Sequence, residues 1–354
     1  MFLDRLSLIF FKSKETSMFM TSVKRKFSLF VEISNLFNRY NKTYETERAL
    51  FLDKSYFWGF LQRMSKLLSP FIYYVFVIPI SHLPFRILYG VSNVVYFLLY
   101  YVVGYRKKVV RDNLKNSFPH LKEKEIKEIE RKFYRHFADF LIESTKSLTI
   151  SDKAIKERCA LINPEILYKY YDEGKDVIVL CGHYNNWEYY AVGIAQQMKH
   201  STIAAYRPLK NKFFDRVILK SRQRFGMKMM SMRGVPRYFA SNEGGEPKLS
   251  IMMNDQSPGN PKTAYWNTFL NQDTGWMKGA EKLAIKYDQV ILFGCIRKKK
   301  RGFYEVTFYP ISDDVSKERE GFVLDKHAEY LEMVIKEHPE YWLWSHRRWK
   351  HDKV

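Results

Sequence analysis

The spacing of apolar positions changes character along this chain, and each change predicts a different kind of element. Up to about residue 60 the apolar residues form only short patches, such as Leu8-Ile9-Phe10-Phe11 and Phe27-Ser28-Leu29-Phe30-Val31, set among basic and polar residues. From Leu67 to Ile80 the sequence is almost wholly apolar, is broken around Pro79, Ser81, His82 and Pro84, and resumes from Ile87 to Tyr105 without a charge. A helix over the second run would span about 28 Å, at the threshold for crossing a bilayer and long enough to lie in its surface. After the turn at Phe118-Pro119, Ile126, Ile129, Phe133, Phe137 and Phe140 recur every three or four positions. That is the single apolar stripe of an amphipathic helix, with its charges expected on a solvated face.

Beyond Ile150 the pattern shortens. The segments 177–181, 202–206, 249–253 and 290–296 are brief and end at glycine, arginine or polar residues, as strands do, and the first suits a strand buried on both faces. Helical patterns alternate with them over 211–226, over a segment introduced by a turn at 274–279 and ending at Tyr287, and over one carrying Leu324, Ala328, Leu331 and Ile335 before Pro339. The alternation predicts an α/β fold, with a mixed, mainly parallel sheet flanked by helices and 305–309 as a hairpin partner. Three parts are expected: an N-terminal extension over 1–63, a hydrophobic membrane-associating segment over 64–108, and the helical and α/β remainder over 109–354.

Charge narrows the partners. Lys and Arg number 59 against 38 Asp and Glu, a formal net charge of +21, which suits lipid headgroups, nucleic acid or an acidic protein. The aromatic residues crowd into the apolar runs and do not alternate with basic ones, which favours a membrane surface over nucleic acid. Arg106-Lys107-Lys108 follows the second apolar run at once, as at the cytosolic end of a membrane-associated helix. The closing Trp342-Leu343-Trp344-Ser345-His346-Arg347-Arg348-Trp349-Lys350 reads as a basic aromatic tail for the headgroup zone. No small-residue cleavage site follows a long apolar core, so a secretory signal peptide is not expected. The three cysteines, Cys159, Cys181 and Cys295, are dispersed and odd in number, as in a reducing compartment.

The chemistry concentrates where the strand 177–181 stops, in Gly182-His183-Tyr184-Asn185-Asn186-Trp187-Glu188. Asn185 or Asn186 can cap a helix whose first turn holds Glu188, leaving His183 on the loop at the carboxyl end of a strand, where open α/β sheets bind ligands. From there Glu188 can swing back to one imidazole nitrogen and leave the other free to take a proton. Equally, His183 can be a satisfied turn histidine and Glu188 a partner of the helix dipole. Cys181 beside His183 raises a cysteine nucleophile as an alternative to a small buried hydrophobe. If the strands are parallel, Arg207 after 202–206 and Asp255 after 249–253 emerge at the same edge as His183 and face a common cleft. The helix over 211–226 carries Arg216, Lys220, Arg222 and Arg224, whose guanidinium groups could hold phosphates. No internal repeat, zinc-ligand spacing or phosphate-cradling glycine loop is present.

With these residues in view, the chain resembles the lysophospholipid acyltransferase superfamily, and within it the late acyltransferases of lipid A biosynthesis. The resemblance rests on His183 to Glu188, the segment 110–119, Tyr206-Arg207-Pro208, Arg222-Gln223-Arg224-Phe225-Gly226, Asp255-Gln256 and Trp344-Ser345-His346-Arg347-Arg348, in family order over roughly 65 to 350. It implies a glycerol-phosphate-acyltransferase-like fold. It also implies acyl transfer from acyl carrier protein, or less often acyl-CoA, to a hydroxyl of a lipid A precursor at the cytosolic face of the inner membrane. By the same resemblance His183 is the base and Glu188 its orienting partner. Arg207, Arg222 or neighbouring Arg224, Asp255 and Gln256 bind the acceptor or organise the cleft, and no cofactor is implied. Ser257-Pro258 departs from the family pattern, which leaves open an acyltransferase for another lysolipid or aminolipid. From the charge alone, a non-catalytic basic membrane-binding protein also stays open.

Overall fold

A computed structural model of the chain describes residues 68–353 apart from 233 and 241–244. The chain divides into two units, Met1–Phe76 and Val77–Val354. The extension expected over 1–63 lies outside the described residues, and within the first unit 68–76 is helical.

The two apolar runs are helices, α1 (Leu68–His82) and α2 (Phe85–Val102). In α2 the positions Leu88, Ser92, Tyr96 and Tyr100 are buried, while Ile87, Val94, Phe97, Tyr101 and Val102 on other sides are more than half exposed. The i, i+4 spacing of the buried set is one helical stripe. After α3 (Lys107–Ser117) comes the long helix α4 (Glu123–Lys146), which starts where the Glu125 carboxylate accepts the Lys122 N–H at 2.8 Å. Its stripe is as expected, with Ile126, Phe133 and Phe140 buried. Its charges are not all on a solvated face, however: Glu130, Asp139 and Glu143 are buried as well. Each has partners that no local period reveals, such as Arg111 on Glu130.

The remaining chain builds an α/β domain from α5 (Asp152–Arg158), β1 (Cys159–Leu161), α6 (Glu165–Asp172), β2 (Val177–Cys181), α7 (Trp187–Ile194), β3 (Ser201–Tyr206), α8 (Lys212–Gln223), β4 (Lys228–Ser231), α9 (Val235–Ala240) and β5 (Lys248–Met253). A hairpin of β6 (Tyr265–Phe269) and β7 (Gln272–Trp276) follows, then α10 (Gly279–Tyr287), β8 (Val290–Lys300), β9 (Phe303–Ser312) and α11 (Phe322–Glu337). The residues from Thr274 to Trp276, expected in a turn, are three of the five residues of β7, the strand paired with β6. The main sheet has the order β1-β9-β8-β2-β5-β3-β4. Strands β8, β2, β5, β3 and β4 are mutually parallel, whereas β9 runs antiparallel to β8 and pairs in parallel with β1. The fold is thus α/β, with a mainly parallel sheet flanked by helices and an apolar helix towards the N-terminus. All five residues of β2 are buried, because helices cover both faces of a parallel sheet.

Candidate active site

Strand register decides which side chains meet. Cys181 on β2 pairs with Met253 on β5, so His183 and Asp255, each two residues farther on, leave the sheet side by side. Gly182 makes the approach possible. A Cβ there would lie 2.6 Å from Leu331 Cδ1 and 3.3 Å from Asp255 Oδ2. The turn that follows is pinned at successive residues. The His183 carbonyl accepts the Leu343 N–H at 3.1 Å, Tyr184 Oη donates to the Val334 carbonyl at 2.8 Å, and Asn185 Nδ2 donates to the Ile296 carbonyl at 2.8 Å. Asn185 is left-handed, with φ 54°, a conformation that asparagine tolerates better than most residues. Asn186 caps α7, its Oδ1 accepting the Tyr189 N–H at 2.9 Å.

The Asp255 carboxylate is enclosed by donors. Oδ1 lies 2.6 Å from His183 Nδ1, and Oδ2 accepts the His183 N–H at 2.7 Å and the Trp342 indole N–H at 2.8 Å. Burial works to raise the Asp255 pKa, but the His183 ring, the His183 N–H and Trp342 together hold it well below the usual carboxylate range. Burial likewise works to lower the His183 pKa. Asp255, by charge and by hydrogen bond, outweighs it with help from the Glu188 charge, and the ring sits above its ordinary value. At the other ring nitrogen, Gln256 Nε2 lies 3.2 Å from His183 Nε2. An amide NH2 only donates, so this contact selects the neutral tautomer with the proton on Nδ1 and a lone pair on Nε2.

The hydrogen bond expected from Glu188 to His183 is therefore occupied by Asp255. Glu188 instead takes both Arg222 Nε and Nη2, at 3.1 and 2.6 Å, a bidentate pair. Arg224, the neighbouring alternative, points elsewhere: its guanidinium donates to the carbonyls of Ser147, Leu148 and Ile150 beyond the end of α4. Arg207 is exposed just past the end of β3. Glu188 and Arg222 line a cavity of about 330 Å³ between α4 and α8, whose other walls include Phe140, Leu148, Phe214, Val217 and Ile218. Trp187 contacts both Phe140, at 4.0 Å between ring centroids, and His183, at 5.1 Å.

The family model for bacterial lipid A biosynthesis acyltransferases matches residues 59–351. The chain belongs to this family. It is also 21% identical over 276 residues to a lipid A biosynthesis acyltransferase of Haemophilus influenzae, covering 76% of this chain and 83% of the relative. The protein is accordingly an acyltransferase.

The candidate site also uses residues that the sequence pattern placed elsewhere. The C-terminal tail, expected in the headgroup zone, runs through the interior: Trp342, Trp344 and Arg348 are at most 3% exposed. It bridges Tyr184 through Trp342, supplies the indole to Asp255, and places His346 Nε2 where it accepts the Ser257 N–H at 3.3 Å. Burial pushes the His346 ring down to about 4 despite the Asp255 charge, so His346 is neutral near pH 7. Asn113, in the segment 110–119, donates to the carbonyls of Trp344 and His346 at 2.8 and 2.9 Å. Two motifs far apart in the sequence thus hold each other. The signal was there, since both belong to the resemblance, but composition alone reads a Trp- and Arg-rich terminus as a surface feature. Cys181 is buried, and burial pushes its thiol up to about 12, far from the thiolate that nucleophilic attack needs.

Proposed function

We propose that this acyltransferase moves a fatty acyl group from a thioester, on acyl carrier protein or coenzyme A, to a hydroxyl of a lipid A precursor, with His183 as general base and Asp255 as its orienting partner. The observation that carries the reading is the pair itself. A histidine above its ordinary pKa has Nδ1 tied to a buried carboxylate and Nε2 as an acceptor, and Glu188, five residues along the chain, lines an apolar cavity of the size small-ligand sites have.

In this scheme the acceptor hydroxyl replaces the Gln256 amide at Nε2. As the oxygen attacks the thioester carbonyl, its proton passes to Nε2, and the imidazolium is stabilised by Asp255 through Nδ1–H. Collapse of the tetrahedral intermediate breaks the carbon–sulfur bond, and the leaving thiolate takes the proton from Nε2. The cavity between α4 and α8 receives the acyl chain. The Glu188–Arg222 pair at its polar end retains a part in the site as a charged boundary, in which the Glu188 charge works to raise the His183 pKa and the Arg222 charge works against it. Arg207, exposed past the end of β3, meets the phosphates of an anionic acceptor in this scheme. The exposed apolar side of α2 and the basic residues after it seat the protein on the cytosolic face of the inner membrane.

The test is transfer by the purified protein from an acyl thioester to a lipid A precursor in vesicles, with His183→Ala as the control, together with mass spectrometry of total lipids from cells with and without the chain. The expected result is one acyl group gained by one lipid and lost with His183→Ala. Transfer by His183→Ala at the parent rate would overturn the mechanism. Gain of the acyl group by another lysolipid or an aminolipid would overturn the acceptor while leaving the mechanism in place.

A further inference from the structure

Two buried acids stand one helical turn apart on α4, and they are provided for differently. Asp139 has cations, with Arg301 at 2.5 Å and Lys298 at 3.8 Å, and also accepts Ser92 Oγ at 2.6 Å. Glu143, 1% exposed, has no cation within ion-pair distance among the described residues. It is held by three neutral donors from three separate parts of the fold. Tyr89 Oη of α2 donates to Oε1 at 2.9 Å, Tyr304 Oη of β9 donates to Oε2 at 2.7 Å, and Asn186 Nδ2 of the catalytic turn donates to Oε2 at 2.6 Å. Burial pushes the Glu143 pKa up while the bonds from Tyr304 and Asn186 work against it, and every donor lost leaves a buried oxygen without its partner.

Asn186 is the informative partner. Its Oδ1 caps α7 while its Nδ2 lies on Glu143, so one planar amide joins the catalytic turn to α4. It stands three residues after His183 and two before Glu188. The link from α2 is built to close tolerance. The Tyr89 hydroxyl lies 1.8 Å from where a Cβ on Gly302 would stand, and Gly302 has φ +76°, so the β8–β9 turn leaves room for that oxygen only with glycine there.

We propose that Glu143 is a positioning residue for acyl transfer: through Asn186 it sets the turn carrying His183 and Glu188, and through Tyr89 its own placement depends on how α2 is seated. The inference takes the reaction from the proposed function, while the link itself rests only on the hydrogen bonds. The position of the apolar helix is thereby felt at the base, although α2 contributes no atom to the site.

A double-mutant cycle between Tyr89→Phe and Asn186→Ser tests it. Phenylalanine keeps the ring and removes only the donor, and serine keeps the cap. The readouts are kcat and KM, melting temperature, and amide exchange over 183–194 without substrate. We expect each single change to lower kcat on the order of tenfold with KM within about twofold, and to speed exchange in the turn. The double variant should be no worse than the poorer single one, because both cut the same link. Effects that multiply in kcat and add in exchange would overturn the proposal. So would a Tyr89→Phe protein with a lowered melting temperature but parental kcat and exchange. If the parent protein transfers no acyl group, the proposed function fails, and the exchange cycle still decides whether Glu143 couples α2 to the turn.

Discussion

Replacing Asp255 with asparagine separates the two carboxylates that could orient His183. Asparagine keeps one acceptor oxygen. Placed at the Oδ2 position, it retains the bonds from the His183 N–H at 2.7 Å and the Trp342 indole at 2.8 Å. Its NH2 then faces His183 Nδ1, now 2.6 Å from a carboxylate oxygen. Two donors cannot share that contact, so the ring moves its proton to Nε2, where it confronts the Gln256 amide and can no longer accept the hydroxyl proton. Holding a catalytic histidine in the wrong tautomer costs about 10⁴-fold in kcat, or about 5 kcal/mol of barrier. Glu188→Gln leaves the Asp255 contacts in place and loosens Arg222, so its loss should be at least tenfold smaller. The assay is thiol release from an acyl thioester with lipid acceptor, supported by ¹⁵N shifts of the His183 ring. The parent should fall in kcat/KM as pH drops through a pKa above the ordinary histidine value of about 6.5, because the base must be neutral. An Asp255→Asn protein within tenfold of the parent, or one less damaged than Glu188→Gln, would refute the assignment.

The same pair gives stability a pH dependence of defined sign. Asp255, depressed by its donors, contributes stability present above about pH 3.9 and lost as pH falls through its folded value. His183, raised, contributes stability present below about pH 6.5 and lost as pH rises through its folded value; chemical denaturation should show one limb opening below about pH 3.9 and the other above about pH 6.5, both shrinking in Asp255→Asn. In the cavity, Ile218→Trp should shift the preferred acyl chain to fewer carbons, read by mass spectrometry with a series of donors, and an unchanged chain profile would remove the cavity from the acyl path. Gly182→Ala drives a methyl to 2.6 Å from Leu331 Cδ1, and overpacking of this kind should cost about 1–3 kcal/mol in denaturant melts. Arg224→Ala removes donors to the carbonyls of 147, 148 and 150, so it should lower the melting temperature and leave KM near parental. Arg222→Ala should instead lower kcat/KM, and the reverse pattern would exchange their roles.

Much of this molecule was legible from local pattern. The stretch 177–181, too short for a helix and apolar throughout, could be satisfied only inside a sheet covered on both faces, and β2 is that strand. The stripe from Ile126 to Phe140 likewise needed only the helical period. Charges on that helix were harder to read, because Glu130 and Arg111 lie 19 residues apart and meet only when α3 packs on α4. Asp139 waits on Arg301, 162 residues away.

The candidate residues themselves were visible because glycine, histidine and carboxylate at a strand end are a chemical statement in one dimension. By itself the sequence determined the strand-and-helix order, the loop position of His183 and the supply of acids and arginines near it. Only the tertiary structure decided which acid takes Nδ1, since β5 inserts beside β2 and carries Asp255 across 72 residues to a 2.6 Å contact. Glu188, five residues away in the chain, is turned towards Arg222 on α8. The tail shows the same principle, for whether Trp342 faces lipid or a buried carboxylate depends on what packs over it. Local sequence sets the backbone's short-range preferences, whereas hydrogen bonds in a dry interior go to whichever group the packing of distant elements brings within 3 Å.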